Sequence, residues 1–203
     1  MMVRYKIHSV TPQRRILEKV VHALRNEDGV CVYPTDTVYG MGVCAVNPKA
    51  IDRIGKMLEK DKSRLFSFIC CDFAQMSRYV KIDNAHFKLM KRLLPGPYTF
   101  ILPATGIVPK KITPKRKTVG VRIPDNIVCN ELAHLLGEPL ANTSICLPGG
   151  LRGDPDAIEP VVQHNVDVML DIGPLDNPTH STIIDLTGLQ PSVVRLGKGV
   201  WPV

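Results

Sequence analysis

Aromatic side chains are scarce in this 203-residue chain: five phenylalanines, five tyrosines and one tryptophan, 5% of residues. Proteins that read single-stranded nucleic acid base by base stack the bases on such rings, so sequence-specific single-strand recognition is a poor fit. The six cysteines, Cys31, Cys44, Cys70, Cys71, Cys129 and Cys146, form no Cys-x-x-Cys pair, and with the six histidines they show no zinc-ligand spacing. Most lie in apolar runs, where a free thiol packs as a small hydrophobe, so six free thiols in a reducing cytoplasm are expected. No run approaches the roughly 20 apolar residues that cross a bilayer, and Met1 to Val10 lacks the apolar centre of a signal peptide. A cytoplasmic protein without membrane contact is the expectation. Also missing are a phosphate loop ending in Gly-Lys-Ser, a Gly-x-Ser-x-Gly elbow and a His-Glu-x-x-His pair. The chemistry is therefore expected to use neither a covalent nucleophile nor a resident metal.

What is present is ordinary globular composition, 44% hydrophobic and 22% charged, in a length that suits one domain over residues 1–203. The net charge of +7 favours anionic partners such as nucleotides, RNA or acidic surfaces.

The stretch from Val30 to Gly42 is the most informative. Val30 to Tyr33 is β-rich, and Pro34, which cannot donate a ladder hydrogen bond, ends the strand. Thr35, Asp36 and Thr37 follow, then Gly40 and Gly42, which permit close backbone approach or positive φ. On chemistry alone this is either a place for a small polar ligand or a Gly-rich turn between two strands.

Along the rest of the chain, strands are expected at Arg4 to Val10 (an edge), Val43 to Val46, Phe66 to Cys71, Tyr98 to Leu102, Thr118 to Ile123, Leu140 to Ser144, Val166 to Leu170, Thr182 to Leu186 and Ser192 to Leu196. Helices are expected after Thr11-Pro12 and Asn47-Pro48, at Phe73 to Tyr79, from Asp83, and from Asn126 to Leu136. Pro103 to Lys117 reads as a solvated loop made basic by Lys110, Lys111, Lys115, Arg116 and Lys117. Helices and strands intermix without strict alternation, and the last strands follow one another. That pattern predicts an α/β fold: an open, mixed sheet with flanking helices. In Thr118-Val119-Gly120-Val121-Arg122-Ile123, alternation puts Thr118, Gly120 and Arg122 on one face. With the apolar face buried, Arg122 is expected to point into an open groove.

Pro34-Thr35-Asp36-Thr37-Val38-Tyr39-Gly40 resembles the opening motif of the YrdC/YciO-like family of threonylcarbamoyl-AMP synthases. Similar blocks continue in family order: Pro95 to Thr99, Val119 to Pro124, Thr143-Ser144, Ser181 to Asp185, and Val194-Arg195. The resemblance implies an open twisted sheet with a concave basic surface. It implies a nucleotidyltransferase that makes threonylcarbamoyl-AMP from ATP, L-threonine and bicarbonate, with Mg²⁺ on the phosphates, for tRNA modification alongside partner proteins. Carried over position by position, it assigns threonine binding to Thr37, Arg122, Asn142 (through its backbone) and Ser181. It assigns nucleotide binding to Thr118, Ser144 and Arg195. The family's Lys-x-Arg-Pro is displaced here to Lys62-Ser63-Arg64-Leu65, and Lys60, Lys62 and Arg64 are its cationic counterparts. Ser144-Ile145-Cys146 replaces Ser-Ala-Asn. Both departures resemble the YciO branch. Two other readings are a double-stranded RNA-binding protein with little turnover, which could engage tRNA through its basic face, and a carbamoyl transferase acting on another amine.

Overall fold

The structure is a computed structural model that describes residues 2–57, 66–113, 117–145 and 153–201. Lys60, Lys62, Arg64, Lys115, Arg116 and Cys146 lie outside them. The described residues form ten strands and six helices. The strands are β1 (Val3–Lys6), β2 (Cys31–Tyr33), β3 (Gly40–Cys44), β4 (Ser67–Ile69), β5 (Tyr98–Pro103), β6 (Thr118–Arg122), β7 (Leu140–Ser144), β8 (Val168–Asp171), β9 (Thr182–Asp185) and β10 (Ser192–Arg195). The helices are α1 (Arg14–Asn26), α2 (Pro48–Met57), α3 (Phe73–Tyr79), α4 (Asn84–Leu93), α5 (Ile127–Leu136) and α6 (Pro155–Val162). All ten strands join one open mixed sheet in the order β1-β8-β2-β3-β7-β4-β6-β5-β9-β10, as the patterning predicts, with β1 at one edge.

Side-chain alternation splits the core in two. Cys31, Tyr33, Cys44, Ile69, Leu140, Val168 and Leu170 face α1 and α5, meeting Leu17, Val20, Leu24, Val128 and Leu132. Their neighbours Val32, Val43, Phe68, Ala141 and Met169 face the opposite way, onto a second cluster that includes Ile51, Ile54, Met76, Met90 and Ile158. Helix ends follow local chemistry. Asp72, Asp83 and Asn126 cap α3, α4 and α5 by accepting from Gln75, His86 and Cys129 backbone N–H groups. Gly137, at φ 72°, closes α5 in a left-handed conformation that a side chain would resist.

Four expectations change. The Thr11-Pro12 start fails: α1 begins at Arg14 after Gln13, with no side-chain cap, because Thr11 is drawn into a loop where its N–H and hydroxyl meet His8 Nδ1 at 3.0 and 2.9 Å. The third strand begins at Gly40 rather than Val43. Helix α6 was not foreseen; Pro155 and Pro160 break its periodicity, yet Asp154 caps it and Ile158 and Val162 are buried. The basic loop is not simply solvated. Val108 and Ile112 are buried, and Lys111 Nζ donates to the Asp52 carboxylate on α2 at 2.6 Å.

The five described cysteines are free thiols. Burial pushes Cys31, Cys70 and Cys129 well above the ordinary thiol value, whereas Cys71 is only partly covered. Native thiol labelling followed by peptide mass spectrometry is expected to modify Cys71 first among these five. Equal labelling of Cys31 and Cys129 would show that the α1–α5 face opens readily to solvent.

Candidate functional site

Helices α1 and α5 cover only part of their face of the sheet. Farther along the same strands, β7 presents Asn142 and Ser144 beyond Leu140, and β4 presents Ser67 two residues before Ile69. The strand register then lines up Gly42, Asn142, Ser67, Gly120 and Ile101 across β3, β7, β4, β6 and β5. Over the part of this row from Asn142 to Ile101 a cavity of about 620 Å³ opens. Gly120 and Ser67 keep that floor low: a Cβ on Gly120 would lie 3.1 Å from Thr99 Cγ2 and 3.4 Å from Ser67 Cβ. Gly42 is required for a different reason. The ring of Tyr33 lies against it, and a Cβ there would stand 2.7 Å from the Tyr33 hydroxyl. The need is close approach, not positive φ.

Seven of the ten site residues inferred from the sequence line this one cavity: Thr37, Thr118, Arg122, Asn142, Ser144, Ser181 and Arg195. The other three, Lys60, Lys62 and Arg64, lie outside the described residues. Thr35, Thr99, Thr143 and His180 also line it, with Phe66, Ile101, Ile112 and Ile183 as apolar wall.

Arg122 needs a correction. Alternation does aim it at the cavity, but it is not exposed there: only 5% of its surface reaches solvent. Its Nη2 donates to Asp36 Oδ1 in a close ion pair, and its Nη1 donates to Thr37 Oγ1 at 2.8 Å. The polar face of β6 is half-buried at Thr118 and Gly120 and closes over only at Arg122. Burial alone pushes the guanidinium below its ordinary value, and Asp36 opposes that shift. Nε is buried and has no hydrogen-bond partner among the described residues, so the donors the fork retains for a ligand are the second N–H groups of Nη1 and Nη2.

A hydroxyl network surrounds Thr37. Thr35 Oγ1 accepts the N–H groups of Thr37 and Val38 and donates to the Val38 carbonyl at 2.6 Å. The Thr35 and Thr37 hydroxyls are 2.9 Å apart, and either can donate to the other. Thr37 Oγ1 also accepts from Arg122 Nη1. Guanidinium donors and a hydroxyl therefore stand side by side on the cavity wall.

The remaining positions are anchored in the same way. Tyr33 Oη donates to Asn142 Oδ1 at 2.8 Å, which turns the Asn142 amide nitrogen toward Ser67 Oγ at 3.4 Å. Asn142 pairs with Gly42 on β3 and Ser67 on β4 and lines the cavity. Ser181 Oγ and Thr99 Oγ1 are 2.9 Å apart. Arg195 Nη2 donates to the Ser181 carbonyl at 2.8 Å, and Lys198 Nζ to the Asp36 carbonyl at 2.8 Å. Sequence reasoning placed Asp36 in the polar cluster without giving it a role, and gave none to Tyr33 or Lys198. Asp36 at least was detectable, as an acid inside the motif that supplies Thr37.

Among the described residues no group of three or more His, Cys, Asp and Glu side chains could hold a metal ion, and the cavity lining contains no carboxylate. No described helix is long and apolar enough to cross a membrane.

Comparison with known proteins gives a consistent picture. The Sua5/YciO/YrdC family model, described as "Telomere recombination", matches residues 23–197. YciO of Escherichia coli is 39% identical over 199 residues, 96% of this chain and 95% of that protein. Its crystal structure superposes with a TM-score of 0.91 over 98% of both chains. Threonylcarbamoyl-AMP synthase of Vibrio vulnificus is 32% identical over 136 residues, 66% of this chain and 73% of the relative. Pyrococcus abyssi Sua5 complexed with L-threonine has a TM-score of 0.84 at 26% identity, covering 97% of this chain and 58% of that one.

Proposed function

Because this chain belongs to the Sua5/YciO/YrdC family, we propose that it is a threonylcarbamoyl-AMP synthase-like nucleotidyltransferase using ATP, L-threonine and bicarbonate. The observation that carries the reading is the pairing of the Arg122 guanidinium with the Thr37 hydroxyl on one cavity wall. An α-amino acid presents the complementary set, a carboxylate for the guanidinium fork and an N–H or O–H for the threonine oxygen. The relative crystallised with L-threonine supports that choice of amino acid.

In this reading the amino group of threonine combines with bicarbonate to give the N-carboxylate and water. That carboxylate attacks the α-phosphorus of ATP, and pyrophosphate leaves as threonylcarbamoyl-AMP forms. The protein contributes proximity and charge, not a covalent intermediate. Arg122 and Thr37 hold the amino acid, with Asn142 and Ser181 beside them. Thr118, Ser144 and Arg195 take the nucleotide, and Lys60, Lys62 and Arg64 are proposed for its triphosphate. With no carboxylate among the described residues of the lining, Mg²⁺ would arrive on the ATP phosphates and supply charge neutralisation there. The product would serve tRNA threonylcarbamoylation in the cytoplasm, with partner proteins of that pathway. Double-stranded RNA binding through the basic loop has less support, since Lys111 is already ion-paired and Val108 and Ile112 face the core.

Pure protein incubated with ATP, Mg²⁺, bicarbonate and each amino acid in turn is expected to yield the threonine adduct by mass spectrometry. Formation with another amine only would move the reading to a different carbamoyl transferase; no adduct with any would overturn it. Calorimetry with Mg-ATP is expected to show saturable binding that weakens with added salt and in Lys62→Ala. Absence of heat and of chemical-shift change at millimolar ATP would remove the nucleotide assignment.

A further inference from the structure

We propose that Asp36 sets the charge class of the small substrate: by neutralising Arg122 within the wall, it makes that end of the cavity take a zwitterionic amino acid in preference to an anion. The inference rests on the reading that Arg122 and Thr37 hold an amino acid. Its basis is the charge balance of the wall. The side chains of Arg122 and Asp36 are 7% and 11% exposed, and they are paired with each other. Asp36 is not among the residues that line the cavity, so it acts through Arg122 as a positioning residue.

A lone buried guanidinium would draw in any carboxylate. A guanidinium already paired with Asp36 presents donors but little net charge. An anion docking there brings a second negative charge close to Asp36 in a poorly screened environment, and no further buried cation among the described residues of the wall offsets it. A zwitterion brings its own positive group. Its carboxylate meets the remaining Arg122 N–H groups, and its ammonium lies beside the Thr37 hydroxyl and the Asp36 carboxylate behind the wall. Asp36 Oδ2, buried and without a hydrogen-bond partner, leaves a negative potential that favours that ammonium. The described cations Arg195 and Lys198 do not alter this balance. Arg195 and Lys198 are exposed residues, where solvent and salt screen them, and they suit phosphates at the cavity mouth.

The test measures preference between two ligands of one carbon skeleton: L-threonine, and 2,3-dihydroxybutanoate, in which a hydroxyl replaces the ammonium. Calorimetry on the wild type is expected to show at least about tenfold tighter binding of threonine. In Asp36→Asn that ratio should fall about tenfold or more, through weaker threonine binding and stronger binding of the anion. The double variant Asp36→Asn/Arg122→Gln, which leaves no lone buried charge, should bind neither measurably. If Asp36→Asn does not fold, the wild-type ratio and the double variant decide the matter. A wild type that binds the anion as tightly as threonine overturns this inference alone. So does a folded Asp36→Asn that keeps the wild-type ratio, or a double variant that still prefers threonine. A wild type that binds neither ligand overturns the amino-acid reading, and this inference with it.

Discussion

Arg122→Ala is expected to remove threonine-dependent turnover and to cost about 3–5 kcal/mol of stability. Both losses follow from burial. The guanidinium is enclosed with Asp36 and Thr37, so truncation strands a carboxylate away from water as well as removing the substrate's anchor. Arg122→Lys keeps a charge but not the fork: one ammonium cannot reproduce the planar donation to Asp36, Thr37 and a ligand carboxylate together. Loss of one charge-assisted hydrogen bond, about 1.5–3 kcal/mol, should weaken threonine use roughly ten- to hundredfold while ATP binding persists. Thermal unfolding, with threonine titrations followed by pyrophosphate release at saturating ATP, gives both numbers. If Arg122→Ala melts with the wild type and turns over normally, the ion pair is incidental and the threonine assignment loses its main support.

Gly197→Ala should have the second largest effect. A Cβ at Gly197 would collide with the His180 carbonyl oxygen and lie 2.6 Å from the carbonyl carbon of Ser181. Both obstacles are backbone and cannot rotate aside. The segment is also fastened on either side: Gly197 N–H donates to Thr182 Oγ1 at 2.9 Å, and Lys198 N–H to the His180 carbonyl at 2.8 Å. Relief must come from shifting residues 180–182, which moves His180 and Ser181 at the cavity and the Arg195 contacts with Ser181. Overpacking of this kind costs about 1–3 kcal/mol. The expected outcome is a lowered melting temperature and a raised KM for threonine, whereas Gly106→Ala, with nothing within 4 Å of the added Cβ, serves as the neutral control. A wild-type KM in Gly197→Ala would show that residues 180–182 do not shape the site.

The candidate site was legible where the sequence carries local signals, and illegible where tertiary packing decides. Period-two alternation put Thr118, Gly120 and Arg122 on one face, and they do line the cavity. Alternation cannot say whether the far side of that face is open, so Arg122 was expected in solvent, whereas it is enclosed. Asp36 sits in the motif that supplied Thr37, but nothing local reveals that its partner lies on β6, 86 residues away. The mixed sheet followed from the succession of elements, and most strand ends fell within a residue or two of expectation. Helix α6 was missed because two prolines interrupt its apolar spacing. The Thr11-Pro12 start failed because a histidine three residues earlier offered the threonine an alternative partner.

The strand order also governs when the site can come into being. Strand β1 pairs with β8, Val3 against Val168, and the cavity wall draws on residues from Thr35 to Arg195. Few of these pairings are local, which places folding toward the slow end for a domain of this size. At roughly 5–20 residues per second of synthesis, β1 emerges roughly ten seconds or more before its neighbour. Until then its edge is unpaired and must be kept from other chains. Ser181 and Arg195 are added later still, so a nascent chain can hold Thr37 and Arg122 without possessing a complete cavity. Competence for the small substrate is therefore expected to appear only late in folding, together with the docking of β9 and β10.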